Sequence, residues 1–200
     1  MPAYSFKKHS ADTETSPAAR ITASVGSACS AVFPELIRSI MNLPKIDLPI
    51  EEMENVHIKP FKYAVENNIE MVMAAHLHCT CFDKEVIPSS LSQNAIGYLR
   101  NNLGYRGVII TDDMVMKGVE QFGSLQACKM AINAGVDMFI FRNSDDKTLK
   151  LIEDLVKEVE KDEGLQKKVG ESYERIMDLK RRYGLDERQN KKLLITHQNI

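Results

Sequence analysis

Two hundred residues and 22.6 kDa suffice for one domain with a real core and fall short of two. The hydrophobic fraction of 44% and charged fraction of 27% are those of an ordinary folded chain, which excludes a disordered or fibrous one. A formal charge of −2 gives no global positive field to draw in nucleic acid or anionic lipid, so no nucleic-acid or membrane partner is expected.

Residues 1–45 carry the weakest pattern. AYSFKKH suits a short strand, Ser10–Ser30 is rich in Ser, Thr and Ala, and VFPELIRSIMN places Phe33, Leu36, Ile37 and Ile40 on one face of a short helix. IEEMENVHIKPFKYAVEN then sets Met53, Val56, Phe61, Ala64 and Val65 at helical spacing, with Pro60 either kinking that helix or starting a second one. EMVMAAH reads as a buried strand. LSQNAIGYLRNNLG reads as a helix capped by Ser92 and stopped by Gly104. GVIITDD is a second buried strand, SLQACKMAINAG a further helix and VDMFIF a third strand. Two charged helices follow at about Asp145–Glu160 and Gly164–Tyr183, and Asp186–Ile200 reads as a polar tail.

Continuous apolar strands alternating with amphipathic helices specify an α/β protein with a parallel sheet covered by helices. Each strand run stops in polar residues: His76 and His78, then Thr111, Asp112 and Asp113, then Arg142 and Asn143. In parallel α/β folds the C-terminal strand ends carry the site, so three such ends point to one rim. No apolar run approaches the roughly 18 residues of a membrane span, and MPAYSFKKHSADTETS lacks the apolar core of a secretory leader. Four irregularly spaced cysteines (Cys29, Cys79, Cys81, Cys128) do not form a disulfide framework, and a reducing cytoplasm is expected.

The segments LPKIDLPIEEMENVHIKPFKYAVENNIEMVMAAH, SSLSQNAIGYLRNNLGYRGVIITDDMVMKGV and AINAGVDMFIF resemble the later part of the catalytic barrel of glycoside hydrolase family 3, above all its bacterial β-N-acetylglucosaminidases. SYERIMDLKRRYGL is similar to the helix that closes that barrel, and the likeness runs from about Leu43 to Leu185. The resemblance implies a partial (β/α)8 TIM-type barrel, comprising the last three to four β/α units and the closing helices, over residues 1–185, with 186–200 as a tail. It also implies a β-N-acetylhexosaminidase-like hydrolase of cell-wall sugar recycling, with no cofactor.

The first aspartate of GYRGVIITDDMVM, here Asp112, matches the family's nucleophile. Along an alternating strand Asp112 shares a face with Val108 and Ile110 while Asp113 points the other way, and alternation alone leaves open which face lines the interior. KKHSADTETSPAAR resembles the family's KHFPGHGDT-type segment, so Lys8 and His9 are implied to hold sugar hydroxyls. Its FPGHG core is shortened and the Asp-Ser-His triplet that follows in the family is missing, so no acid/base is assigned. His76 and Met116 are expected near the sugar.

Each of these residues has a plainer role too. Asp112 competes with a strand-end carboxylate that caps a helix, Lys8 and His9 with a solvated basic segment, and Met116 with core filler. His76-x-His78 invites a metal-dependent hydrolase, but Cys79 and Cys81 would face the opposite side and no distant ligand completes the set, so no metal is expected. The charge-rich stretch from Lys150 onward is expected to be a solvated face with pairs such as Glu171–Arg175, and not a partner surface. A barrel begun near its fifth strand does not close, so self-association, a companion chain or an inactive sugar-binding fragment stands beside the enzyme reading.

Overall fold

The computed structural model describes residues 23–24, 43–143 and 145–185. Lys8, His9, Cys29, the AYSFKKH strand, the VFPELIRSIMN helix and the tail from 186 lie outside these residues. In chain order the elements are β1 (Ala23–Ser24), β2 (Lys45–Ile46), α1 (Ile50–Glu52), α2 (Lys59–Glu66), β3 (Met71–Ala74), β4 (His78–Cys79), α3 (Gln93–Gly97), β5 (Val108–Asp113), α4 (Lys117–Glu120), α5 (Ser124–Ala134), β6 (Met138–Ile140), α6 (Asp146–Lys161) and α7 (Glu163–Arg182).

Four strands form a parallel sheet in the order β1-β3-β5-β6, and β2 pairs with β4 in a separate parallel ribbon. The fold is therefore α/β, as the alternation of strand and helix patterns requires. One face of the sheet packs against the helices. Val72 and Ala74 of β3 and Ile109 of β5 join Leu91, Ile96, Val119, Ala127, Cys128, Ala131 and Val136 in a single core. The small residues of α5 let that helix sit close to the strands. Burying a side chain as completely as Ile109 is buried contributes about 1.5–3 kcal/mol. Met71, Met73, Ile110, Met138 and Ile140 alternate with these core residues, stand outside that core and are only partly buried.

Local signals act as their chemistry dictates. Ser92 accepts a hydrogen bond from the Ala95 amide at 2.9 Å and caps α3, while Asp145 and Asp162 cap α6 and α7 through the amides of Thr148 and Leu165. Gly104 and Gly135, at φ of +72° and +104°, supply the left-handed residues that end their helices. Pro60 lies in the first turn of α2, so it starts a second helix and does not kink the first.

Four expectations need correction. A π-helical turn at Met53–His57 shifts the buried face of α1–α2 to Met53, His57 and Phe61, which leaves Val56 55% exposed. The sheet strand ends at Ala74, so His78 belongs to β4 and not to the same strand as His76. Arg175 turns inward to Asp137 at 2.8 Å, away from Glu171. Leu149, Ile152 and Val156 line an exposed apolar side of α6 where a solvated charged face was expected.

Candidate active site

The C-terminal ends of β3, β5 and β6 lie side by side and are bolted together by polar groups. His76, two residues past β3, is buried. Its Nε2 lies 3.1 Å from the carbonyl oxygen of Asp113, and its Nδ1 lies 2.6 Å from the Ser90 hydroxyl. A carbonyl only accepts, so Nε2 carries the proton and donates; in the neutral ring Nδ1 then accepts from Ser90. Burial holds the imidazole pKa below its ordinary value, against the opposing pull of the Asp113 carbonyl and of the Asp112 and Asp113 charges. Gly118 of α4 makes room here: a Cβ at that position would stand 3.4 Å from His76 Cβ. His76 thus serves as a strut between β3 and β5, with both nitrogens already engaged by the protein.

The two aspartates at the end of β5 divide the work. Asp113 Oδ1 accepts from the amides of Val115 (3.2 Å) and Arg142 (3.3 Å), and its Oδ2 pairs with Arg142 Nε at 3.3 Å. That carboxylate ties the loop after β5 to the loop after β6. Asp112 Oδ1 accepts from the Asp113 amide at 2.7 Å, and Oδ2 carries no hydrogen bond among the described residues. A partly buried carboxylate with one oxygen fixed and one open is what attack on an electrophilic carbon requires.

The register shifts between Ile110 and Asp113: Ile110 pairs with Met138 and Asp113 with Ile140, so three steps of β5 span two of β6. The irregularity lies on the β6 side alone, because beside β3 the register runs unbroken from Val108 to Thr111. Thr111 is fully buried and its Oγ1 accepts from the Ile140 amide, which removes it from the rim. Met116 begins the turn into α4 and is partly buried, whereas Met114 belongs to the core. Among the described residues no three of His, Cys, Asp and Glu converge as metal ligands, and His76 has no nitrogen to offer.

Residues 36–179 match the model of the glycosyl hydrolase family 3 N-terminal domain. The chain belongs to that family. A β-hexosaminidase of Actinobacillus pleuropneumoniae serotype 3 is 32% identical over 123 residues, which are 60% of this chain and 35% of that protein. The β-hexosaminidase of Methylobacillus flagellatus is 29% identical over 115 residues, 56% of this chain and 32% of its own. Among solved structures, a glycoside hydrolase family 3 β-N-acetylglucosaminidase from Paenibacillus sp. str. FPU-7 superposes with a TM-score of 0.68 at 28% identity, covering 74% of this chain and 28% of that one. The β-N-acetylglucosaminidase of Thermotoga maritima gives 0.61 at 28% identity, covering 68% and 31%. The chain spans about a third of the length of the curated relatives it matches.

Ser90 is the site residue that sequence reasoning missed. It sits fully buried in a single turn of 3-10 helix (Ser89–Leu91) between β4 and α3. The only signal was the polar run Ser89-Ser90-Leu91-Ser92, in which Ser92 drew attention as a cap.

Proposed function

We propose that this chain is the later portion of a (β/α)8 barrel from a retaining glycosidase that removes terminal β-linked N-acetylhexosamine. The observation that carries this reading is the Asp112 carboxylate at a sheet rim, its Oδ2 without a hydrogen bond among the described residues, in a chain of glycosyl hydrolase family 3. Asp112 attacks the anomeric carbon as the leaving oxygen takes a proton from an acid about 5–5.5 Å away. A glycosyl ester forms on Asp112, and water then hydrolyses it. His76 is not that acid, because its one proton is committed to the Asp113 carbonyl. Its part is to hold the peptide after the nucleophile in place, while Arg142 and Asp113 brace the same loop. Lys8 and His9 are assigned to sugar hydroxyls and Met116 to the apolar side of the pocket.

The substrate class is amino sugars released in cell-wall recycling, and the compartment is the cytoplasm. The free thiols of Cys79, Cys81 and Cys128 support a reducing location, and no helix among the described residues is long and apolar enough to cross a membrane. A second reading is favoured by the partly exposed strand face of Met71, Met73, Ile110, Met138 and Ile140: an incomplete barrel that binds sugar without turning it over.

The test is hydrolysis of a chromogenic β-N-acetylglucosaminide by the chain and by Asp112→Ala. Turnover lost by at least a hundredfold in the variant supports the nucleophile, and a mechanism-based glycosyl label should map to Asp112 by mass spectrometry. Turnover unchanged in Asp112→Ala removes the assignment. A cooperatively folded but inactive chain leaves the second reading.

A further inference from the structure

Among the described residues two π-helical turns, Met53–His57 and Tyr98–Asn102, meet on the helix-covered face of the sheet. Each is closed by an i to i+5 bond: the Ile58 amide donates to the Met53 carbonyl at 2.7 Å, and the Leu103 amide to the Tyr98 carbonyl at 3.1 Å. Such turns are rare and occur mostly at functional sites. The extra residue in each throws its side chains out of step with the ridges of the facing helix, so the two surfaces do not interdigitate fully. They touch where the Tyr98 hydroxyl donates to Glu54 Oε1 at 2.6 Å, with the Phe82 and Tyr98 ring centroids 5.3 Å apart. Beside this contact lies a cavity of about 90 Å³.

Both turns border it, through Met53 and Tyr98, and its floor is Val72 of β3 and Leu77 beyond that strand. Nothing in it calls for water. The Ser89 hydroxyl on its wall donates to the Leu77 carbonyl at 2.8 Å. Burial pushes the Cys79 thiol up, which keeps that wall neutral. No lining side chain leaves a buried nitrogen or oxygen without a hydrogen-bond partner among the described residues. An apolar cavity without such groups stays dry, and one of about 150 Å³ lined by Leu, Ile and Phe takes up benzene or xenon. The room here is that of about three groups of water size, at about 30 Å³ each. A dry void leaves its lining without dispersion contacts on one side, and an apolar guest restores them.

We infer that this cavity binds a small uncharged apolar molecule, an alkyl group of about three or four carbons, admitted where the Tyr98–Glu54 hydrogen bond spans the two π-turns. Asp112 does not border the cavity, and the inference rests on no assignment of the reaction. Ala75 and Leu77, the chain neighbours of His76, do border it. A guest therefore packs against the segment that carries the strut between β3 and β5.

The experiment is a xenon titration of the full 200-residue chain, labelled at its methionine methyl carbons and followed by NMR. Met53 lines the cavity, whereas Met130 and Met177 do not and serve as internal controls. The Met53 methyl resonance should shift saturably with xenon pressure while those two stay nearly still. Dissolved n-butane should compete with xenon, and ethylene glycol, similar in size but polar, should not. Ala95→Leu adds three carbons at the cavity wall and should weaken xenon binding at least tenfold; Ala95→Val makes the same comparison if the larger side chain does not fit. Tyr98→Phe keeps the ring and removes the bond to Glu54, so it should speed xenon exchange and leave affinity within twofold. In a cooperatively melting chain, a Met53 shift that is absent or rises linearly with pressure overturns the inference. So does a shift matched at Met130 and Met177, one undiminished in both Ala95 variants, or equal competition by ethylene glycol. Unchanged exchange in Tyr98→Phe overturns the route of entry.

Discussion

Asp137, at the start of β6, offers the sharpest stability test. Its carboxylate is fully buried, with Oδ2 receiving Arg100 Nη2 (2.6 Å) and the Ile109 amide (2.7 Å) and Oδ1 receiving Arg175 Nε (2.8 Å). It therefore joins the π-helical turn after α3, strand β5 and helix α7 at one point. Asp137→Ala leaves two guanidinium groups, 12% and 23% exposed, without a counter-charge and an amide without an acceptor. Breaking a buried ion pair by removing one partner costs about 3–5 kcal/mol. Arg100 keeps the carbonyls of Gly107 and Gly135 as acceptors, which argues for the middle of that range, about 4 kcal/mol. With a urea slope of about 2 kcal/mol per molar, the midpoint should fall by about 2 M.

Equilibrium urea unfolding followed by circular dichroism measures this, with Glu153→Ala as an exposed control expected within about 0.5 kcal/mol of wild type. Asp137→Asn keeps an acceptor for Ile109 and should lose less than the alanine variant. A cycle with Arg175→Ala should return a coupling of about 1.5 kcal/mol or more. A loss below about 1 kcal/mol in Asp137→Ala would mean that both arginines swing out to water, and the argument from burial would fail.

Two further outcomes follow from named groups. Burial lowers the His76 pKa, so the unfolded chain takes up a proton first as pH falls below about 6.5 and the native state does not; stability should be level above that point and fall below it by up to about 1.4 kcal/mol per pH unit. Urea midpoints between pH 7.5 and 5 test this, and His76→Gln should flatten the profile; a flat wild-type profile refutes it. Gly107→Ala should destabilise by about 3 kcal/mol, because the new Cβ would sit 2.6 Å from the Glu70 carbonyl oxygen and press on the Tyr105 hydroxyl. A thermal midpoint within 2 °C of wild type would contradict that clash.

Much of this molecule was legible in its sequence because the signals are local. Val108–Ile110 and Met71–Ala74 are unbroken apolar runs, Ser92 and Asp145 are capping residues, and Gly104 and Gly135 tolerate a left-handed backbone. Such features act within a few residues of themselves, so strand and helix assignments followed, and the Asp112-Asp113 pair was already visible at a strand end. What depended on distant residues was hidden. The register shift between Ile110 and Asp113 arises from pairing with β6, some 28 residues on. The partners of His76 are Ser90 and the Asp113 carbonyl, 14 and 37 residues away. Arg175 appeared to have a neighbour on its own helix and bonds instead to Asp137, 38 residues earlier. The exposed side of α6 was unreadable for a related reason: helical periodicity marks Leu149, Ile152 and Val156 as apolar, but whether an apolar stripe is covered depends on which elements the tertiary fold brings against it.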